Sequence, residues 1–220
     1  MKRIRKCFIA SISTLTAFVL WTVAIQFIDV REIGPQGSSV GFAGINGFFH
    51  NIMGVHLSLY NITDWLGLVP IFVSMGFGLL GLVQWIKRKS ICKVDYDILV
   101  LGGFYIITIA TYLFFESVVI NYRPVLINGY LEASYPSSTT LLVACVMPTA
   151  VMQFNSRIGS KVFRKIVADT IIAFIAFMVI GRLLSGVHWL TDIIGGALLS
   201  AGLVLMYRAI ICLIVVPSKL

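Results

Sequence analysis

His188 and Asp192 stand four residues apart at the start of an apolar run. On a helix this spacing puts both side chains on one face, so the carboxylate can reach the imidazole. A carboxylate behind a histidine selects the ring tautomer and makes the free nitrogen a better nucleophile or general base. A second group, Tyr135 to Thr140, opens another apolar stretch. There the hydroxyls of Ser137, Ser138 and Thr139 would lie beside unpaired helix N–H groups and the positive end of the helix dipole, an arrangement suited to an oxyanion. Arg123 and Arg182 can each present the planar fork that phosphate oxygens accept. Singly these features are ordinary: an Asp or Ser at a helix start is a cap, and interfacial arginines meet lipid headgroups. Together, two arginines, a dipole-positive helix end and an Asp-backed histidine describe phosphoryl transfer through a phosphohistidine.

The composition says what kind of elements must position these groups. Of the 220 residues 59% are apolar and 12% charged, half the roughly 25% charged content of soluble domains. A soluble globule, a disordered chain, a collagen-like repeat and a disulfide-stapled secreted scaffold are all excluded. At about 20 residues per spanning helix plus connections, the chain holds at most six or seven spans. Six apolar stretches are predicted to span, at residues 8–28, 65–86, 98–119, 139–154, 166–184 and 189–207. The first is too long for a secretory h-region and is read as an uncleaved span. Residues 209–217 are apolar but too short to cross. The fold expected is all-α, an integral membrane bundle of six transmembrane helices in a single domain over residues 1–220.

Charge distribution orients it. Fourteen of the seventeen Lys and Arg fall at the amino terminus, in the 87–93 loop, in the 157–165 loop, and at Arg208 and Lys219. Arg31, Arg123 and Arg182 are left for the other side. By the positive-inside rule both termini are expected in the cytoplasm and the three arginines outside, in the plasma membrane. The net charge of +8 is thus a topology signal, and nucleic acid is not an expected partner.

Residues 41–60, rich in Gly and Phe, are too polar to span and are predicted to form an outer interfacial segment between spans one and two. They carry His50 and His56, six apart and so without a shared helical face. Cys7, Cys92 and Cys212 fall near the inner face and Cys145 inside span four, which argues against an external disulfide framework. Asp169 reads as a dipole partner at a helix start. Gly195 and Gly196 read as sites of close helix packing.

The motifs resemble those of the type 2 phosphatidic acid phosphatase family, membrane lipid phosphatases related to vanadium haloperoxidases. The family pattern runs K-x6-R-P, P-S-G-H and S-R-x5-H-x3-D. This chain reads E-x6-R-P from Glu116 to Pro124, P-S-S-T from Pro136 to Thr139, and G-R-x5-H-x3-D from Gly181 to Asp192. The resemblance implies that His188 attacks phosphorus, that Asp192 orients it, and that Arg123, Arg182, Ser137 and the amides near Ser138 and Thr139 hold the phosphate. It implies no metal and no other cofactor. The substrate expected is a lipid phosphate or pyrophosphate, such as phosphatidic acid or an isoprenyl pyrophosphate, with undecaprenyl pyrophosphate one candidate, met at the extracytoplasmic face.

Three positions depart from the pattern. Glu116 replaces a lysine, Gly181 a serine, and Thr139 the histidine that in the family protonates the leaving oxygen, help typically worth about 10²- to 10⁴-fold. Three expectations follow. Another outward group supplies the proton, with His50, His56, Tyr122, Tyr135 and a protonated Glu116 as candidates. Alternatively the leaving group needs little protonation, as when a lipid pyrophosphate expels a lipid monophosphate. The last is a non-catalytic protein that binds or transports a lipid phosphate.

Overall fold

A backbone in hydrocarbon must satisfy its own N–H and C=O groups, which favours helices wherever the chain is apolar. The computed structural model describes residues 2–215 and contains, in order, α1 (Lys2–Phe27), α2 (Ala43–Met53), α3 (Leu57–Leu66), α4 (Leu68–Arg88), α5 (Tyr96–Ser117), α6 (Ser138–Arg157), α7 (Lys161–Leu184) and α8 (Leu190–Val215). Among the described residues β-pairing is confined to isolated bridges, two of them in the α5–α6 connection. Lys219 and residues 216–217 of the apolar tail lie outside the described residues. The rest of that tail extends α8.

Among the described residues five helical stretches are long and apolar enough to cross a membrane: α1, the α3–α4 run, α5, α7 and α8. The predicted sixth, residues 139–154, is the helix α6, and it differs for a physical reason. It lies at the centre, packed on α4, α5, α7 and α8, with Val143, Cys145 and Ala150 fully buried. A helix enclosed by other helices has no lipid-facing side to keep apolar, so α6 carries Thr149 and Gln153. Thr149 Oγ1 donates to Cys145 O at 3.0 Å, and Gln153 Nε2 donates to Tyr207 Oη at 2.6 Å.

The second span also begins earlier than residue 65. Leu57 starts a helical run that bends only at Gly67 before continuing as α4, so the end of the predicted interfacial segment belongs to that run. What precedes it is α2. Its exposed face carries Ile45, Phe48 and Ile52, while buried Asn46 donates to Gly41 O at 2.8 Å and to Thr191 Oγ1 at 3.0 Å.

Contacts between helices set their directions. Ser11 Oγ donates to Gly202 O at 2.8 Å and Trp21 Nε1 to Thr191 O at 3.2 Å, so α1 and α8 run antiparallel. Tyr105 against Thr149 and Gln153 against Asp97 make α5 and α6 antiparallel. Thr140 beside Gly196 and Gln153 beside Tyr207 make α6 and α8 parallel. The chain therefore traverses the bundle six times. One end gathers the start of α1, the α4–α5 and α6–α7 turns and the end of α8, hence the basic clusters. The other end gathers the α1–α2 loop, the α5–α6 connection and the α7–α8 turn. Close packing at glycine joins them: a Cβ on Gly195 would collide with the Tyr135 ring, and one on Gly202 would come within 2.6 Å of Leu15. All four cysteines are free thiols.

Candidate active site

The α7–α8 turn folds back through Gly186, whose φ of +68° lies in the left-handed region. It carries His188 to the centre of the non-basic end, 4% exposed. Asp192, in the first turn of α8, accepts from the Trp189 backbone N–H at 2.9 Å and thereby caps the helix. The direct His188–Asp192 contact expected from the four-residue spacing is not made. Their nearest atoms, Nδ1 and Oδ2, are 3.9 Å apart, beyond hydrogen-bond range.

Ser134 stands between them. Its hydroxyl donates to Asp192 Oδ2, and His188 Nδ1 lies 3.0 Å from that hydroxyl's own oxygen, Ser134 Oγ. A hydroxyl has one proton to give, so the second bond must be donated by Nδ1–H. The imidazole is thereby held with its lone pair on Nε2, which faces Arg123 Nη1 at 3.5 Å. Asn121 Nδ2 reaches the other oxygen of Asp192 at 3.3 Å. Burial, assisted by the nearby guanidiniums and opposed by Asp192, pushes the His188 pKa down to about 4, so the ring is neutral at neutral pH.

The two arginines reach the site around this nitrogen from different elements. Arg123 lies in the α5–α6 connection, where its backbone N–H donates to Glu132 O at 3.0 Å and its Nε sits 3.0 Å from Glu132 Oε2. Arg182, 1% exposed near the end of α7, donates from Nη2 to Asp64 Oδ1 at 3.2 Å and from Nη1 to Thr63 Oγ1 at 3.3 Å. The Tyr60 ring lies 4.9 Å from the Arg182 guanidinium carbon and 5.8 Å from that of Arg123, within cation–π range of both. Arg182 Nε is buried and, among the described residues, makes no hydrogen bond.

These side chains wall a polar cavity of about 360 Å³ that includes His188, Arg123, Arg182, Ser134, Glu116 and Glu132. A second cavity of about 470 Å³, lined by Leu68, Ile71, Ile109, Leu142 and Val146 among others, lies between α4, α5 and α6. The two share Asp64, Tyr112, Ser138, Thr139 and Leu141. An anionic head and an apolar tail could be held at once, one in each. Among the described residues no three His, Cys, Asp or Glu side chains converge as a metal-ligand set.

Of the sequence-predicted residues, His188, Asp192, Arg123, Arg182, Ser138, Thr139 and Glu116 meet here. Ser137 is present as a cap and not as cavity wall: its Oγ accepts from Thr140 N at 3.5 Å, and its own N–H donates to Asp192 O at 3.1 Å. The Tyr135 phenol is turned towards α1, stacked on Phe18 and bonded to Thr22 Oγ1 at 2.7 Å, with burial raising its pKa. Tyr122 offers its carbonyl to Trp189 Nε1 at 2.7 Å and does not line the cavity. His50 packs on the Trp189 ring at 5.4 Å, where burial lowers its pKa, and His56 Nε2 sits 2.8 Å from Met53 O. Neither histidine borders the cavity. Ser134, Tyr60, Asp64, Tyr112 and Glu132 were not singled out by the sequence. Only Ser134 had a local signal, standing two residues before the Pro-Ser pair.

No curated protein sequence matches the chain. A solved structure does: the crystal structure of the first transmembrane PAP2 type phosphatidylglycerolphosphate phosphatase from Bacillus subtilis superposes with a TM-score of 0.62 over 91% of this chain and 95% of that one, at 16% identity. At that identity the likeness is one of fold. The PAP2 superfamily model matches residues 71–212, a range that takes in Arg123, Ser134, Arg182, His188 and Asp192 though not Tyr60 or Asp64. Extending over more than half of the sequence and over the core of the buried histidine site, that match shows that the chain belongs to the PAP2 superfamily.

Proposed function

We propose that the protein is a membrane lipid phosphatase that hydrolyses a lipid phosphate or pyrophosphate at the extracytoplasmic face through a phosphohistidine. The observation that carries the reading is a buried imidazole, bonded through Nδ1 to Ser134 and with Nε2 3.5 Å from Arg123, on a polar cavity that also takes in Arg182 and shares five lining residues with an apolar one. In the first step the Nε2 lone pair forms the N–P bond and the bridging P–O bond breaks. Arg123 and Arg182 hold the phosphoryl oxygens, where loss of one such donor typically costs about 10²- to 10³-fold. The Ser138 and Thr139 end of α6 adds its dipole. Water then attacks phosphorus, and the bonding electrons return to Nε2. Asp192 orients the ring through Ser134.

In this reading all six traversals span the plasma membrane as one domain, with both termini in the cytoplasm. The support is the gathering of basic residues at the end of the bundle away from His188. The exposed apolar face of α2 fits a helix lying at the outer interface. The head of a pyrophosphate suits a site without the family histidine, because its leaving group is the weaker base.

Phosphate release from a panel of lipid monophosphates and pyrophosphates, by purified protein without added metal, tests the reading. Release by the wild type that His188→Ala abolishes is the expected result; release retained in that variant overturns it. One observation favours a second reading: in the resting site both arginines are engaged by carboxylates, Glu132 and Asp64. A binder or carrier of lipid phosphates would show saturable binding, weakened by Arg123→Ala and Arg182→Ala, and no turnover at any pH.

A further inference from the structure

Resting on the phosphatase reading, we infer that Asp64 is the catalytic residue that protonates the leaving oxygen, in place of the imidazole that Thr139 lacks. The position of that oxygen follows from the two cavities. Phosphorus must sit against His188 Nε2 in the polar cavity and the tail in the apolar one, so the oxygen joining them lies at the junction. Five residues border both cavities, and of these only Asp64 and Tyr112 carry a titratable proton. A phenol, with an ordinary pKa of about 10, is a poor donor near neutrality, whereas a carboxyl group can be brought into range by its neighbours.

Asp64 stands in the last turn of α3 and borders the same two cavities as Thr139. The end of that helix approaches Thr139 at Gly67, where an added Cβ would be 3.7 Å from the Thr139 methyl. The Asp64 side chain is 58% exposed, and the residue borders both cavities. Arg182 holds only its Oδ1, and among the described residues Oδ2 makes no hydrogen bond. Glu116 and Glu132 border the polar cavity alone, and Glu132 is paired with Arg123.

Arriving phosphate competes with the Asp64 carboxylate for the Arg182 fork, and Asp64 enters the reaction as the carboxylic acid. In the first half-reaction the Asp64 proton goes to the bridging oxygen as its bond to phosphorus breaks and the bond to His188 Nε2 forms. Asp64 is left as a carboxylate. In the second, it accepts a proton from the attacking water as the N–P bond breaks, so phosphate leaves and the acid is restored. Each turnover consumes one water.

The test uses leaving groups of different basicity with full-length protein. A dialkylglycerol phosphate must expel an alkoxide and needs the proton, while p-nitrophenyl phosphate expels a stabilised phenolate and does not. Asp64→Asn is expected to lose roughly 10²- to 10⁴-fold on the lipid and less than about tenfold on the aryl phosphate. Adding Thr139→His to Asp64→Asn should recover the lipid activity. Asp64→Glu, which keeps a proton to give, should stay far closer to wild type on the lipid. Equal losses of the Asp64→Asn variant on both substrates, or none on the lipid, overturn the assignment. The first of those results would mark a residue that only positions Arg182. If the wild type turns over neither substrate, or His188→Ala turns over both, the phosphatase reading itself fails and the assignment with it.

Discussion

At the scale of single residues, the chemistry rests on how a buried imidazole is held. Ser134 occupies the space between His188 and Asp192, accepting from one and donating to the other. Ser134→Ala leaves Nδ1–H and the Asp192 oxygen facing each other across 3.9 Å. Hydrogen bonds to charged groups are worth about 1.5–3 kcal/mol, so kcat should fall roughly 10- to 100-fold with KM little changed, as steady-state kinetics would show. The same burial has a pH signature. With the His188 pKa near 4 when folded and ordinary when unfolded, the unfolded chain binds the extra proton first as pH falls. Stability is therefore full above about 6.5 and declines towards 4, by up to roughly 3 kcal/mol. Thermal unfolding of the wild type should drop across that window more steeply than that of His188→Gln. Tyr135→Phe and His50→Ala should retain phosphatase activity, because the Tyr135 phenol is held by Thr22 and His50 packs on Trp189 outside the cavity. Abolished activity in the His50 variant would make that ring the proton donor.

At the scale of elements, α6 decides the shape of the site. Its amino end presents Ser138 and Thr139 to both cavities, and its next turns line the apolar one with Leu142 and Val146. Leu142→Trp should fill part of that space. The outcome expected is a raised KM for a long-chain lipid phosphate with p-nitrophenyl phosphate hydrolysis nearly unchanged, and a uniform loss on both would refute the tail assignment. Gly195, on α8, lies against the Tyr135 ring in the loop before α6. Gly195→Ala must move that loop, and overpacking of this kind costs about 1–3 kcal/mol, readable as a lowered midpoint in a thermal aggregation assay.

At the scale of the whole molecule, the basic end of the bundle and the end that carries His188 are separated by the length of the long helices. Cys92 is exposed in the α4–α5 turn at the basic end, and Tyr130 is exposed in the α5–α6 connection at the other. In right-side-out vesicles a membrane-impermeant maleimide should label Tyr130→Cys and leave Cys92 untouched until the membrane is opened. Labelling of Cys92 from outside would invert the orientation and place His188 at the cytoplasmic face.

The sequence by itself determined the all-helical membrane class and the positions of most long helices, and it singled out His188, Asp192, Arg123 and Arg182, which the fold brings together. Hydropathy and charge act along the chain, and the motif residues keep short fixed spacings. What depends on neighbours it did not record. The helix at 139–154 is more polar than the other long helices because they enclose it, and the i,i+4 histidine pair is bridged by a serine 54 residues upstream of the ring. Only the tertiary structure decided that Asp64 stands against an arginine 118 residues away, that the Tyr135 phenol bonds Thr22 and His50 lies outside the cavity, and that a polar and an apolar cavity meet at Thr139. Such contacts form when helices from distant parts of the chain pack side by side, and no local pattern records which side chains then face one another.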